Sequence, residues 1–213
     1  MVLKGFSDIQ ATIEIDLSRS QEELWNAADK DARWGVKKAE KEGLIIEETE
    51  KLEDWQEFYE IYKKTIIAGG IVPNQLSELK KDRYRLFICK KDNSVIAGAI
   101  IFIKEDRLIL KFNASIYEFL KFQPNNLLYW HLILFGKKNN LKIFDLGGYQ
   151  LNASGHLTGV NKFKERWGGK IVEYRIYSWN PIRIIGRKII RNFPKIKAIR
   201  EKIKMKKYAE GNK

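Results

Sequence analysis

The stretch "RYRLFICKKDNSVIAGAIIFIKEDRLILKFNASI", residues 83–116, contains three successive runs with the composition of β-strands. Each run is rich in branched and aromatic side chains, and the three span residues 83–91, 94–104 and 107–116. Only Asp92–Asn93 and Glu105–Asp106 separate them, and such short polar connections are typical of tight hairpin turns. The stretch therefore predicts an antiparallel meander of three strands.

Downstream of the meander the pattern changes to alternating helices and strands. "QPNNLLYWHLILFGKKNN" (123–140) predicts a helix that begins at Pro124 and Asn125, and "LKIFDLGG" (141–148) predicts a buried strand that ends in a glycine corner. After a polar loop (149–157), the segment "GVNKFKERWGGKIVEY" (159–174) predicts a helix ended by Gly168. A last strand follows at 170–179.

Upstream, strands and helices also alternate. The sequence predicts strands at 11–17 and 44–49, one long helix from Gln21 to Gly43, an amphipathic helix at 53–68 and a short helix near 75–81. The whole order predicts a single α/β (α+β) domain with a mixed, mainly antiparallel sheet flanked by helices. We expect an N-terminal extension at 1–10, the domain at 11–179 and a basic helical tail at 180–213.

Composition narrows the class of protein. With 213 residues and 44% hydrophobic content, the chain is long enough for one sizeable core. Cys89 is the only cysteine and His131 and His156 the only histidines, so we expect neither a disulfide nor a metal site. No run of eighteen apolar residues occurs, and we expect a soluble, cytoplasmic protein.

The positive charge is concentrated in the tail. From Pro181 to Lys213 there are twelve Lys or Arg and two Glu, so this segment carries +10 of the net +13. Isoleucines recur at helical spacing on both sides of Pro194. A basic amphipathic segment at 181–207 suits an anionic membrane surface or tRNA phosphates, although its isoleucines could equally pack on the domain.

The element order resembles the GNAT acyltransferase fold, and the motifs resemble the Fem family of peptidoglycan aminoacyltransferases and the related BioF2-like acetyltransferase domains. Three segments carry the resemblance: "EELWNAADKDARWGVKKAEKEGLIIEE", "LYWHLILFGKKNNLKIFDLGG" and "GVNKFKERWGGKIVEY". By this resemblance, Phe163 and Lys164 match a Phe-Lys pair at the acyl-transfer centre. The donor would be aminoacyl-tRNA, with no further cofactor, and the acceptor an amine of a cell-wall precursor.

Lys164 also stands out in the helix itself. Val160, Phe163 and Trp167 share one stripe, and Lys164 lies beside it, so its ammonium should emerge at the border of the core. There it could stabilise the negative charge that develops on an attacked ester carbonyl, or hold an RNA phosphate. The alternative is an ordinary edge lysine whose stem lies along apolar surface. We expect Lys164→Ala to fold normally, with little loss of stability, and to lose most transfer activity.

Further candidates surround this centre. Asp145, before Gly147 and Gly148, could be a general base or could bond backbone N–H groups of the glycine corner. We expect both glycines to need unusual backbone angles or close approach. Tyr149 and His156 belong to the loop that should face the cleft; His156 could be a base or incidental.

Two further sets of polar residues suit anions. Arg33, Lys37 and Lys41 recur every four residues and form one basic row on a helix, or simply a solvated face. Asn125 and Asn126 stand at a predicted helix N-terminus, which could receive an anion.

The chain departs from its presumed relatives in two ways. Fem-type enzymes usually contain two GNAT-like domains and this chain has room for one, so a second GNAT-like chain or a homodimer could supply the acceptor half. An acyl-CoA enzyme would have a glycine-rich loop where this chain has "KFQPNNLLYW". This disfavours the alternative of an acyl-CoA-dependent N-acyltransferase acting on a sugar or peptide amine. A third alternative is a non-catalytic RNA- or membrane-binding module.

Overall fold

A seven-stranded sheet with helices on both faces forms the protein in a computed structural model, which describes residues 6–178, 185, 202–206 and 208–210. The strands are β1 (Phe6–Asp16), β2 (Ile45–Thr49), β3 (Arg85–Lys91), β4 (Ser94–Lys104), β5 (Arg107–Ser115), β6 (Ile143–Tyr149) and β7 (Lys170–Ser178). The helices are α1 (Gln21–Ala27), α2 (Lys30–Lys41), α3 (Leu52–Ala68), α4 (Leu76–Leu79), α5 (Pro124–Lys138) and α6 (His156–Glu165), with a 3₁₀ helix at Tyr117–Phe122.

The sheet is mixed and mainly antiparallel, as predicted. Its strand order is β2-β3-β4-β5-β6-β1-β7, and β5–β6 is its parallel pair. The meander β3–β4–β5 is confirmed, and Asp92 and Asn93 both have positive φ, which suits the tight β3–β4 turn.

Each face of the sheet has its own apolar core. Helices α1, α2 and α5 cover one face, where Val36, Leu128 and Phe144 are buried. Helices α3 and α4 cover the other, where Phe58 lies against Gly98 of β4 so closely that a Cβ there would be 2.5 Å from the ring. This double cover explains why β3 and β4 read as almost continuous apolar runs.

Two predicted boundaries were wrong. The long helix predicted from Gln21 to Gly43 is two helices, because the backbone is extended at Ala28 and Asp29 starts α2 by accepting a 2.7 Å hydrogen bond from the Ala32 N–H. Strand β1 begins at Phe6, within the predicted extension, because it pairs with β7 along its length. The predicted tail helices fall almost entirely outside the described residues.

Strands β5 and β6 diverge after a short paired segment. Their pairing runs only from Arg107↔Ile143 to Ile109↔Asp145; beyond it, β5 continues beside β4, and β6 continues beside β1. The ladder between the two parallel strands therefore ends there and leaves a gap in their hydrogen bonding toward the carboxyl ends.

A bulge in β6 marks this gap. Asp145 pairs with Glu14 and Gly148 with Thr12, so β6 has one more residue than β1 between these pairs. Gly147, in the bulge, has φ +72°, and a Cβ there would lie 2.8 Å from the Leu110 carbonyl oxygen. Gly148 has open space around it and no left-handed backbone, so the prediction that both glycines are special is wrong for Gly148.

These neighbours provide a matched pair of variants. Gly147→Ala should lower the free energy of unfolding by on the order of 2 kcal/mol or more, because the new methyl group meets backbone and the left-handed conformation is strained. Gly148→Ala should stay within roughly 0.5 kcal/mol of the wild type. Urea denaturation of both variants measures the difference, and equal losses would contradict this account of the bulge.

Candidate active site

The ammonium of Lys164 is buried beside the β6 bulge. Only 8% of the residue is exposed, and its Nζ donates hydrogen bonds to the carbonyl oxygens of Gly147 (3.1 Å) and Gly148 (2.9 Å). Burial lowers the pKa of Lys164 from 10.5 to about 8, although the negative charge of Asp145 partly opposes the shift. The prediction that this ammonium emerges at the core border was therefore wrong, since the lysine lies inside.

The inward face of α6 also differs from the predicted stripe. Val160 is 41% exposed, whereas Asn161 is buried and bonds both the backbone N–H (3.2 Å) and the carbonyl (2.8 Å) of Gln150. Phe163 packs edge-on against Tyr129 of α5, with the ring centroids 4.9 Å apart, and Trp167 stacks on the same tyrosine. The aromatic contacts and the Asn161 bonds fix α6 against α5 and the end of β6.

The carboxylate of Asp145 is held in place by hydrogen bonds and an ion pair. Its Oδ1 accepts hydrogen bonds from the Thr12 hydroxyl and from the Gly147 N–H (2.8 Å), and its Oδ2 lies 3.4 Å from Arg107, which also pairs with Glu14. Both carboxylate oxygens are occupied, which favours the glycine-corner alternative over a general base. Neither Thr12 nor Arg107 was predicted from the sequence, because their contacts join strands that are far apart in the chain.

Two residues of the predicted loop belong to regular elements instead, and Tyr149 is the last residue of β6. The Tyr149 hydroxyl donates a 2.7 Å hydrogen bond to Glu165, and this bond raises the pKa of Tyr149. His156 is the first residue of α6 rather than a loop residue, and its side chain lies outside the described part of the structure.

Arg33 does not belong to the predicted basic row. Its Nη1 donates to the carbonyl oxygens of Asn26 (3.2 Å) and Ala28 (2.5 Å) at the end of α1, so it caps that helix. Lys37 and Lys41 are exposed on α2. The basic face of α2 therefore contains Lys37 and Lys41 without Arg33.

The two asparagines at the start of α5 are engaged by protein. Asn125 accepts from the Asn113 amide (3.2 Å) and donates to the Ser115 hydroxyl (3.0 Å). Asn126 is 4% exposed and its amide lies against Gly35 of α2. The prediction that these side chains receive an anion is not supported, because packing against α2 and β5 uses them.

A cavity of 720 Å³ lies between α3 and the segment that follows β5. Its floor is apolar, with Ile61, Val95 and Ile116, and its rim has three carboxylates, Glu57, Glu60 and Glu118, and one lysine, Lys64. Ser115 also lines it and places it at the diverging end of β5. The cavity could not be predicted from the sequence, because it is built from segments without a shared motif.

The described residues form neither a metal-binding cluster nor a membrane-spanning helix. No group of three His, Cys, Asp or Glu side chains in this part of the chain is arranged to hold a metal ion. Among the described helices, none combines the length and the apolar character needed to cross a bilayer.

The pKa of Lys164 predicts a pH dependence of stability. Between pH 8 and 10.5 the unfolded chain holds a proton at this position that the folded chain has lost, so the free energy of unfolding rises with pH. Relative to Lys164→Gln, wild type should gain up to roughly 3 kcal/mol across this window. Urea denaturation at pH 7.5 and pH 10 measures the gain, and a constant difference between the proteins would contradict the buried ammonium.

Comparisons with known proteins agree with this architecture. The sequence model of the FemAB family matches residues 73–175, from the loop before α4 into β7. No curated protein sequence matches the chain.

Three solved structures are similar in fold. A crystal structure of FemX has 16% sequence identity and a TM-score of 0.67, and the match covers 82% of this chain and 63% of that one. The structure of L-PGS from Bacillus licheniformis has 13% sequence identity and a TM-score of 0.61, and the match covers 87% of this chain and 66% of that one. The C-terminal domain of a putative lysylphosphatidylglycerol synthetase from Agrobacterium fabrum has 10% sequence identity and a TM-score of 0.59, and the match covers 86% of this chain and 66% of that one.

The chain spans slightly less than two thirds of the length of each of these structures. At such low identities the likeness establishes the fold, and the family match adds the sequence relationship. Both findings support the resemblance: residues 73–175 match the sequence model of the FemAB family, and the fold of the chain is similar to that of FemX.

Proposed function

We propose that the protein transfers an aminoacyl group from aminoacyl-tRNA to a primary amine of a peptidoglycan-type cell-wall precursor, with no further cofactor. The observation that carries this proposal is the buried Lys164 ammonium at the gap between β5 and β6. The match to the FemAB family supports the reaction class. The reaction would take place in the cytoplasm, where charged tRNA is available, and at the inner membrane face if the precursor is lipid-linked.

The chemistry requires a group that stabilises an oxyanion. The acceptor amine attacks the ester carbonyl, a C–N bond forms, and negative charge grows on the carbonyl oxygen. The C–O bond to the ribose then breaks, and the proton lost by the amine leaves with the ribose oxygen. A fixed positive charge near the carbonyl oxygen lowers the barrier to the first step.

Lys164 has the properties of that charge. An ammonium has three protons, and the carbonyl oxygens of Gly147 and Gly148 hold two of them, so one remains for the substrate. With a pKa of about 8 it is mostly protonated at pH 7. Its buried position strengthens its interaction with a developing negative charge.

The cavity beside α3 suits the acceptor. Its rim has three carboxylates and Lys64, and Glu60 is paired with Lys63 at 2.8 Å, so Glu57 and Glu118 are the carboxylates left to attract a ligand that carries an ammonium group. It opens at the end of the sheet where β5 and β6 diverge, which is also the end at which Lys164 lies. The acceptor would reach the ester through this gap, with a second GNAT-like chain completing its binding site.

The segment before α5 disfavours an acyl-CoA donor. A 3₁₀ helix at Tyr117–Phe122 and the engaged amides of Asn125 and Asn126 occupy the place of a pyrophosphate loop.

Incubating the purified protein with precursor pools and either charged tRNA or acetyl-CoA tests the donor. Product from acetyl-CoA alone would overturn the proposed donor and favour an N-acyltransferase.

Lys164→Gln should lower the transfer rate by on the order of a hundredfold, because the amide can still donate to the glycine carbonyls but carries no charge. The matched control is Lys162→Gln, an exposed lysine of the same helix, which should keep wild-type turnover. Activity of the wild type should fall above pH 8 as Lys164 loses its proton. Wild-type turnover in Lys164→Gln would show that the ammonium has no part in the chemistry.

A further inference from the structure

We propose that the outward face of α2 is a docking surface for single-stranded RNA; in the proposed reaction, which this inference extends, that RNA belongs to the donor. The surface, here called the α2 stripe, consists of one tryptophan and four lysines. These are Lys30, Trp34, Lys37, Lys38 and Lys41.

Helical geometry puts the five side chains on one face. At 3.6 residues per turn they fall within about a quarter of the helix circumference, and the stripe extends roughly 16 Å along the axis. The opposite face is formed by Ala32, Gly35, Val36 and Ala39, all buried against the core. The stripe therefore faces outward along the full length of α2.

Trp34 is the unusual member of the stripe. It is 56% exposed, and the ammonium of Lys38 lies 5.1 Å from its ring centroid. An exposed aromatic ring among cations is the combination that binds single strands, because a base stacks on the ring while ammonium groups neutralise the neighbouring phosphates.

Acidic neighbours do not cancel this charge. Asp31 and Asp29 lie 3.2 and 3.7 Å from the guanidinium of Arg166, which offsets one of their two negative charges. Glu40 stands at the flank of the stripe. Four lysines therefore stand against the Glu40 charge and the one aspartate charge that Arg166 does not offset, so the face keeps a net positive charge, which complements a phosphate backbone.

The stripe leads toward the candidate active site. The Asp29 N–H donates a 2.7 Å hydrogen bond to the carbonyl oxygen of Arg166, two residues beyond Lys164, so the start of α2 is fixed to the end of α6. Farther along, Gly35 packs on Asn126 at the start of α5. A strand bound along the stripe would therefore reach α6 at the Lys30 end.

An anionic membrane is the competing occupant, and the composition of the stripe disfavours it. Membrane-surface helices bury several apolar side chains on one face, whereas Trp34 is the single apolar side chain among the five. Stacking on one base needs only one ring.

The test compares variants of the full chain by fluorescence anisotropy with a labelled 12-nucleotide single-stranded RNA. Trp34→Ala should weaken binding about tenfold or more through lost stacking. The double variant Lys37→Gln/Lys41→Gln should reduce the slope of log affinity against log salt by about 1.4, at about 0.7 per lysine. The matched controls, Tyr177→Ala and Lys104→Gln/Lys138→Gln, change exposed residues elsewhere and should bind as wild type.

Circular dichroism melting establishes that each variant is folded, which is expected because the substituted side chains lie on the surface. RNA binding unchanged in both stripe variants would overturn the inference. So would loss of binding to phosphatidylglycerol vesicles with RNA binding intact, because the stripe would then serve a membrane.

A transfer assay separates this inference from the proposed function. If the protein uses charged tRNA, Trp34→Ala should raise KM for the tRNA and leave kcat close to wild type. If no transfer from charged tRNA occurs although the stripe variants lose RNA affinity, the proposed function fails and the RNA surface stands. If transfer occurs with unchanged KM in the variants, the surface is wrong and the function stands.

Discussion

A buried ammonium needs hydrogen-bond acceptors, and this requirement links the parts of the site. Removing the charge of Lys164 from water is unfavourable unless oxygen atoms replace the lost hydration. The β6 bulge supplies two carbonyl oxygens, because a backbone with one extra residue cannot satisfy all its groups in the ladder to β1. The bulge in turn depends on Gly147, whose left-handed conformation and close approach to Leu110 leave no space for a side chain. Asp145 and Thr12 bond the same loop of backbone from the other side.

The elements of the fold could be predicted because local patterns specify them. The β3–β4–β5 meander has apolar strands joined by residues that accept positive φ, and α5 begins at Pro124, where a missing N–H has no consequence. The long helix predicted from Gln21 failed because Asp29 can cap a helix or lie within one, and only packing against Arg166 decides between the two. The predicted first residue of β1 was wrong for a related reason, since the extent of the strand is set by pairing with β7.

The site could be predicted only in part. Lys164 was identified from its position and from the family resemblance, but a helical wheel could not show that Asn161 and Lys164, rather than Val160, face inward. That outcome depends on β6, whose carbonyl oxygens make a polar interior for α6. Arg33 illustrates the reverse case, because its spacing matched a basic row while its guanidinium turned back to the end of α1. Cavities such as the one beside α3 are formed where segments meet, and no single segment encodes them.

The position of β1 has a consequence for how the chain acquires its structure. β1 lies between β6 and β7, and Gln10 is paired with Tyr174, 164 residues further along the chain. During synthesis β1 emerges early, yet both of its partners follow much later, so its two edges stay unpaired while the meander can already form. Contacts of such long sequence separation slow folding and leave open strand edges exposed to other chains in the meantime. β1 therefore stays unpaired until β6 and β7 have been synthesised. Because β1 completes the sheet at the site, we expect the site to form late in folding.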